Sequence, residues 1–175
     1  MKQLALTLGM LMVSSLAQAK DLLVNIGGKD VTVHYRVLDH EISEKDRDTG
    51  SQNSAMECSF LYYGLLAKGD IPGASQLAAD PVAQAEVWNK YRERLGGDDF
   101  KKEMAAYFTS KNRIIAELLL AEEAMLVVKT QDYTAGQLYQ KKNGTYVVLS
   151  GKPFSDASKA LGKVLNLINE GKIKL

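Results

Sequence analysis

Residues 113–149 read RIIAELLLAEEAMLVVKTQDYTAGQLYQKKNGTYVVL, and the way this stretch folds decides the rest. It holds apolar runs at 114–120 and 124–128, then segments 133–141 and 145–149 on either side of Asn143-Gly144. Asn-Gly between alternating segments signals a two-residue hairpin, because both central residues of a type I′ turn need positive φ. The main sheet is therefore expected here. Residues 114–128 also fit a helix: Ile114, Ile115, Leu118 and Leu119 keep helical spacing, and Ala, Glu, Leu and Met are good helix formers. Two strands turning at Glu122-Glu123 are preferred, because a lone hairpin has no neighbours against which to bury its face.

With the turn at 143–144, Lys142 opposes Thr145 and Tyr139 opposes Val148. Tyr133, Ala135, Gln137, Tyr139, Tyr146 and Val148 then share one face, and Leu138, Val147 and Leu149 form the core side. Phenols have apolar bodies with polar tips, a composition favoured at protein interfaces, so Tyr133, Tyr139 and Tyr146 are candidate contact residues. The competing expectation is that helices cover this face.

Upstream, the chain opens with Lys2, an apolar run at 4–16 and Ala17-Gln18-Ala19, the three-part form of a secretory signal peptide. Cleavage after Ala19 removes 19 of 175 residues and leaves 156, one domain's worth and enough to bury roughly 70% of its unfolded surface. The run is too short to span a bilayer, so the expectation is a periplasmic or secreted protein with no membrane insertion once the signal is removed. Losing Lys2 reduces the 22 basic residues to 21, equal to the 21 acidic ones. With signs interspersed, no nucleic-acid footprint is visible.

Residues 22–38 suggest a first hairpin turning at Gly27-Gly28, followed by a polar loop at 39–53 with nothing to bury. Ser54 with Glu57 is a capping box, so a helix should run from 55 to 68 and stop at Gly69. Asp70 and Pro72 open a short helical turn. Asp80-Pro81 starts a helix that Gly96-Gly97 ends, and Asp98 or Asp99 caps another carrying Phe100, Met104, Tyr107 and Phe108. After breaks at Gly151 and Pro153, Ser155 or Asp156 caps a last helix with Ala160, Leu161, Val164, Leu165 and Ile168 on its buried stripe. The predicted class is α+β, with helices packed on a curved antiparallel sheet, an N-terminal hairpin and a C-terminal helix.

Chemistry-bearing motifs are scarce. No Cys-x-x-Cys, His-Glu-x-x-His, phosphate-cradling glycine loop or Gly-x-Ser-x-Gly elbow occurs, and no cofactor, metal or catalytic residue is assigned. His40 lies between Asp39 and Glu41, but one histidine with adjacent carboxylates is not a constellation. Asp46, Asp48, Gln52, Ser54 and Glu57 follow calcium-loop spacing, which fails at Gly50 and Ser51. Cys58, the sole cysteine, is expected to pack in a helix.

Two segments, Phe60-Leu61-Tyr62-Tyr63-Gly64-Leu65-Leu66-Ala67-Lys68-Gly69-Asp70 and Tyr139-Gln140-Lys141-Lys142-Asn143-Gly144-Thr145-Tyr146-Val147-Val148, give the chain a resemblance to the nuclear transport factor 2-like, cystatin-like cone superfamily. The first is like that superfamily's leading helix and Gly-Asp turn, the second like its closing strand pair. The resemblance covers residues 54–149; the N-terminal hairpin and C-terminal helix depart from it. It implies a fold that hosts isomerases, dehydratases, hydrolases and many non-catalytic binding proteins. Its enzymes place Asp, His or Tyr inside the cone, and Tyr63, Tyr107 and Glu117, the last inward among Ile115, Leu119 and Met104, are the pocket candidates here.

Three functions are therefore expected in order: a non-catalytic envelope module binding another protein through the tyrosine face, such as an inhibitor or immunity-type factor; a cone-type enzyme or small-ligand binder; and a structural subunit of an envelope assembly.

Overall fold

Six strands pair in chain order into one antiparallel sheet: β1 (Lys20–Ile26), β2 (Lys29–Glu41), β3 (Arg113–Leu120), β4 (Glu123–Lys129), β5 (Thr134–Lys142) and β6 (Thr145–Val148). The structure is a computed structural model and describes residues 19–150 and 155–175. The expected signal peptide falls on residues 1–19, of which 1–18 lie outside the described residues, as do the breaks at Gly151 and Pro153. Four helices lie between β2 and β3 in the chain: α1 (Ala55–Lys68), α2 (Ile71–Gln76), α3 (Pro81–Leu95) and α4 (Gly97–Ala105). A fifth, α5 (Asp156–Asn169), follows β6. This is the α+β class expected, and the sheet is not closed into a barrel.

Residues 113–129 are strands, as preferred. Their turn sits at Ala121-Glu122, since Leu120 pairs with Glu123 and Ala121 takes φ 53°. The second turn has Asn143 at φ 53° and Gly144 at φ 85°, and Tyr139 opposes Val148. The first hairpin turns at Gly27-Gly28 and joins the same sheet through β2–β3 pairing. Ile115 is an extra residue opposite β4, where Ile114 pairs with Val128 and Ala116 with Val127. That bulge puts Ile114 on the α1 side of the sheet, while Ile115 and Ala116 face α5.

Both faces of the sheet are covered. On one, Ala55, Cys58 and Phe60 of α1 pack against Ile114, Ala124, Leu126, Val128 and Tyr139. On the other, Ala160, Leu161 and Val164 of α5 pack against Val24, Val33, Leu118 and Val127. Gly136 lets α5 approach, for a Cβ there would lie 2.6 Å from Met125 Sδ and 2.9 Å from Leu165 Cδ2. A third cluster joins the outer side of α1, through Tyr62 and Leu66, to Ile71, Phe100 and Met104. The helix is thus apolar nearly all round, as a central helix must be.

The ends of α1 follow the sequence. Ser54 Oγ accepts from Glu57 N at 3.1 Å, and Gly69 closes the helix at φ 81°. The Glu57 carboxylate accepts from Ser51 Oγ instead of returning to the cap, so only half of the capping box forms. At α4 the capping residue is Gly96, and Asp98 and Asp99 sit in the first turn. The helix stops at Ala105, so Tyr107 and Phe108 lie in the turn after it. The stretch expected as a polar loop at 39–53 begins as strand, since β2 runs to Glu41, and it does bury a residue: Ile42 donates its N–H to Asn112 O at 2.9 Å and packs in the core. Burial pushes the Cys58 thiol up to about 12, so it stays protonated and poorly nucleophilic.

The outer edge of β6 is sealed within the chain. Tyr146 N donates to Gln52 O at 2.8 Å and Gln52 Nε2 donates to Tyr146 O at 2.9 Å. Val148 N donates to Leu77 O at 2.7 Å, and Ala79 N donates to Val148 O at 2.9 Å.

Candidate functional site

The inward side of β5 carries Ala135, Gln137 and Tyr139, opposite Val128, Leu126 and Ala124 of β4. Helix α1 lies across it, so the tyrosine face is roofed. Tyr139 is 1% exposed and Tyr146 is half-buried against the same cluster, while Tyr133, in the loop before β5, is 64% exposed. The open three-phenol surface is therefore absent: alternation sets a residue's face, and α1 determines what covers it.

Under that roof Gln137 collects hydroxyls. Its Oε1 accepts from Ser59 Oγ at 3.0 Å and from Tyr139 OH at 3.0 Å, with Tyr107 OH at 3.4 Å. Tyr107 OH and Ser59 Oγ also bond at 2.7 Å. On its other side Gln137 Nε2 donates to Tyr63 OH at 3.3 Å. Tyr63 and Tyr107 stack with ring centroids 4.1 Å apart and planes 14° from parallel. The structure thus brings together two of the three pocket candidates, one from α1 and one from the turn after α4.

These rings form part of the wall of a cavity of about 420 Å³ between α1, α4 and the sheet, floored by Met104, Val128, Ala135 and Gln137 and open to solvent past Glu103, Lys111, Asp132 and Tyr133. That volume is at the small end of the range for ligand pockets, about 300–1,000 Å³. A second cavity, about 230 Å³, lies behind it between Trp88, Tyr62 and Tyr139, with Tyr63 and Gln137 as the shared partition.

Glu117 is elsewhere. One row across the sheet runs Arg36, Glu117, Leu126, Gln137, so Leu126 stands between the carboxylate and the cavity, which places Glu117 about 10 Å from Gln137 along the row. The bulge sends Ile115 to the opposite face, and Met104 belongs to the outer cluster, so the expected setting of Glu117 is not found. Glu117 is 3% exposed and its Oε2 accepts from Arg36 Nη2 at 2.6 Å. Burial raises its pKa against the lowering effect of Arg36. Because the folded carboxyl holds its proton more tightly than the unfolded one, this group favours the fold at low pH and costs stability as pH rises through 4.5 and beyond. Arg36→Ala removes the offset. We expect a loss of about 3 kcal/mol at pH 7 in urea denaturation, largely recovered near pH 4; a loss independent of pH would contradict this account.

Burial also raises the phenols: Tyr63 to about 12, and Tyr62, Tyr107 and Tyr139 higher still. Each is neutral at physiological pH. The unfolded chain gives up these protons first, near pH 10, so their stabilisation is complete below pH 10 and is lost as pH rises towards the folded values. Titrating absorbance at 295 nm alongside circular dichroism should show these four phenols ionising in one step with unfolding; gradual ionisation of an intact fold would overturn this.

His40 and the acids singled out in the sequence make their contacts away from the cavity. His40 lies against Phe60 in a tilted contact, with centroids 5.4 Å apart and planes 38° from parallel, and faces Asp46 at 3.3 Å, not Asp39 or Glu41. Asp46 also accepts from Ser43 N and Oγ, Glu57 from Ser51, and Asp48 from Lys68, while Gln52 donates to Tyr146 O, so the calcium-spaced side chains are spent on contacts within the protein. Glu123 accepts from Ser155 and Ser158, both at 2.6 Å, anchoring the start of α5. Among the described residues no three His, Cys, Asp or Glu side chains cluster to hold a metal, and no helix is long and apolar enough to cross a membrane. Sequence reading missed Ser59 and the central place of Gln137. The available signal was an amide at an inward strand position two residues from a phenol.

No family model, curated protein or solved structure matches the chain.

Proposed function

We propose that this is an exported, non-catalytic protein that binds a small molecule in the cavity between α1, α4 and the sheet. The supporting observation is the cavity of about 420 Å³ walled by the stacked Tyr63–Tyr107 pair and Gln137. Binding is favoured over catalysis because general acid–base work needs a group that titrates near the operating pH. The interior offers only phenols whose ionisation burial has pushed far above neutrality. The cone-superfamily resemblance, itself part of this proposal, accommodates such binders. Export rests on Lys2, the apolar run and Ala17-Gln18-Ala19; protein recovered from cells with residues 1–19 intact would count against it. Filling the site tests the binding. Ala135→Leu should abolish hits from a fluorine-NMR fragment screen that wild type gives, with its melting temperature preserved; equal hits from both would remove the cavity from the proposal.

A second reading, the protein-binding module, moves to α3. Only Gln84 of that helix is buried, and Val82 and Val87 are 72% and 58% exposed. In-cell crosslinking that captures a partner with wild type and loses it with Val87→Glu would favour this reading; identical capture would count against it.

A further inference from the structure

Counting protons in the Gln137 network identifies what the cavity lacks. Tyr107 donates to Ser59, Ser59 donates to Gln137 Oε1, and Tyr139 donates to the same oxygen. Those three hydroxyl protons are used internally. Gln137 Nε2 carries two hydrogens and gives one to Tyr63 OH. The second amide hydrogen and the Tyr63 hydroxyl proton find no acceptor among the described residues. Both belong to groups on the cavity wall; the second amide hydrogen diverges from Tyr63, and an oxygen in the cavity about 3 Å from Tyr63 OH would take the hydroxyl proton.

We propose that the ligand is an uncharged molecule that brings a carbonyl oxygen, of a ketone, amide or lactone, on a flat apolar body, and that Tyr63, held by Gln137, donates its hydroxyl proton to that oxygen. The flat body follows from the floor of Met104, Val128 and Ala135 and from the stacked rings beside it. Neutrality follows from charge. Among the described residues no cation lines the interior, and at the mouth Lys111 is outnumbered by Glu103 and Asp132, so a carboxylate would be desolvated without a partner there.

This rests on the small-molecule reading, and the test separates the two. Three matched probes, 2-acetylnaphthalene, 2-ethylnaphthalene and 2-naphthoate, are titrated against the full mature chain by calorimetry and by amide and side-chain NMR. The ketone should bind about tenfold more tightly than either of the others and shift the Gln137 side-chain amide. Tyr63→Phe should cost the ketone about tenfold and leave 2-ethylnaphthalene unchanged, with Tyr35→Phe, on the α5 side of the sheet, as a neutral control. If the hydrocarbon or the naphthoate binds as well as the ketone, the carbonyl assignment falls while the cavity reading stands. If none binds with resonance shifts in the cavity, both fall.

Discussion

Gln137→Leu is expected to destabilise the protein by about 3 kcal/mol or more, read as a lowered urea midpoint at unchanged slope. The substitution nearly preserves volume, so little of the loss comes from packing. It comes from Ser59 and Tyr139, whose hydroxyls point at Gln137 Oε1 from 3.0 Å and would face a methyl group instead. Each buried hydroxyl left without an acceptor costs about 1–3 kcal/mol. Tyr107 retains its bond to Ser59 and is affected least. A loss under about 1 kcal/mol would show that water from the cavity takes over the acceptor role, and that the amide positions ligand more than it holds the core.

Gly50→Ala should be worse still, although Gly50 lies in a loop. A Cβ there would stand 2.1 Å from Leu61 N, 2.5 Å from Leu61 Cα and 2.7 Å from Leu61 Cβ. The obstacle is mostly helix backbone, which cannot rotate away as a long side chain can. Relief requires moving the loop off α1, and with it the neighbouring residues that carry Ile42 into the core on one side and Gln52 onto β6 on the other. A loss of about 3 kcal/mol or more is expected. Gly27→Ala, with nothing within 4 Å of a new Cβ but a φ of 57°, provides the contrast of strain without collision at about 1 kcal/mol. Equal midpoints for the two variants would contradict the packing account.

Local chemistry made much of the fold legible. Ser54 and Gly69 delimit α1 because caps satisfy backbone groups within a few residues, and Asn143-Gly144 sets the β5–β6 register for the same kind of local reason. What escaped depends on distant parts of the chain. The β3–β4 turn lies one residue earlier than expected because Ala121 adopts positive φ without a glycine to announce it. Ile42 appeared to be a lone apolar residue in a polar stretch; its burial depends on Asn112, seventy residues on. Simple alternation put Glu117 on the face of Ile115, and the bulge between Ile114 and Ala116 breaks that parity. The candidate site was half visible: Tyr63 and Tyr107 were singled out, but their meeting at Gln137 needs α1 laid over β5, which no periodicity reveals.

The sealing of β6 has a kinetic corollary. Its outer hydrogen bonds are made by Gln52 and by Leu77 and Ala79, residues that reach the sheet only once the helical insertion has folded back on it, and Gln52 lies 94 positions from Tyr146. Closing so large a loop is entropically slow. The terminal strand should therefore be the last to gain amide protection in pulse-labelled refolding, well after β3 and β4, which are joined by a two-residue turn. Protection of Tyr146 and Val148 arriving together with that of β4 would show that the hairpin forms first and the helices settle onto a finished sheet.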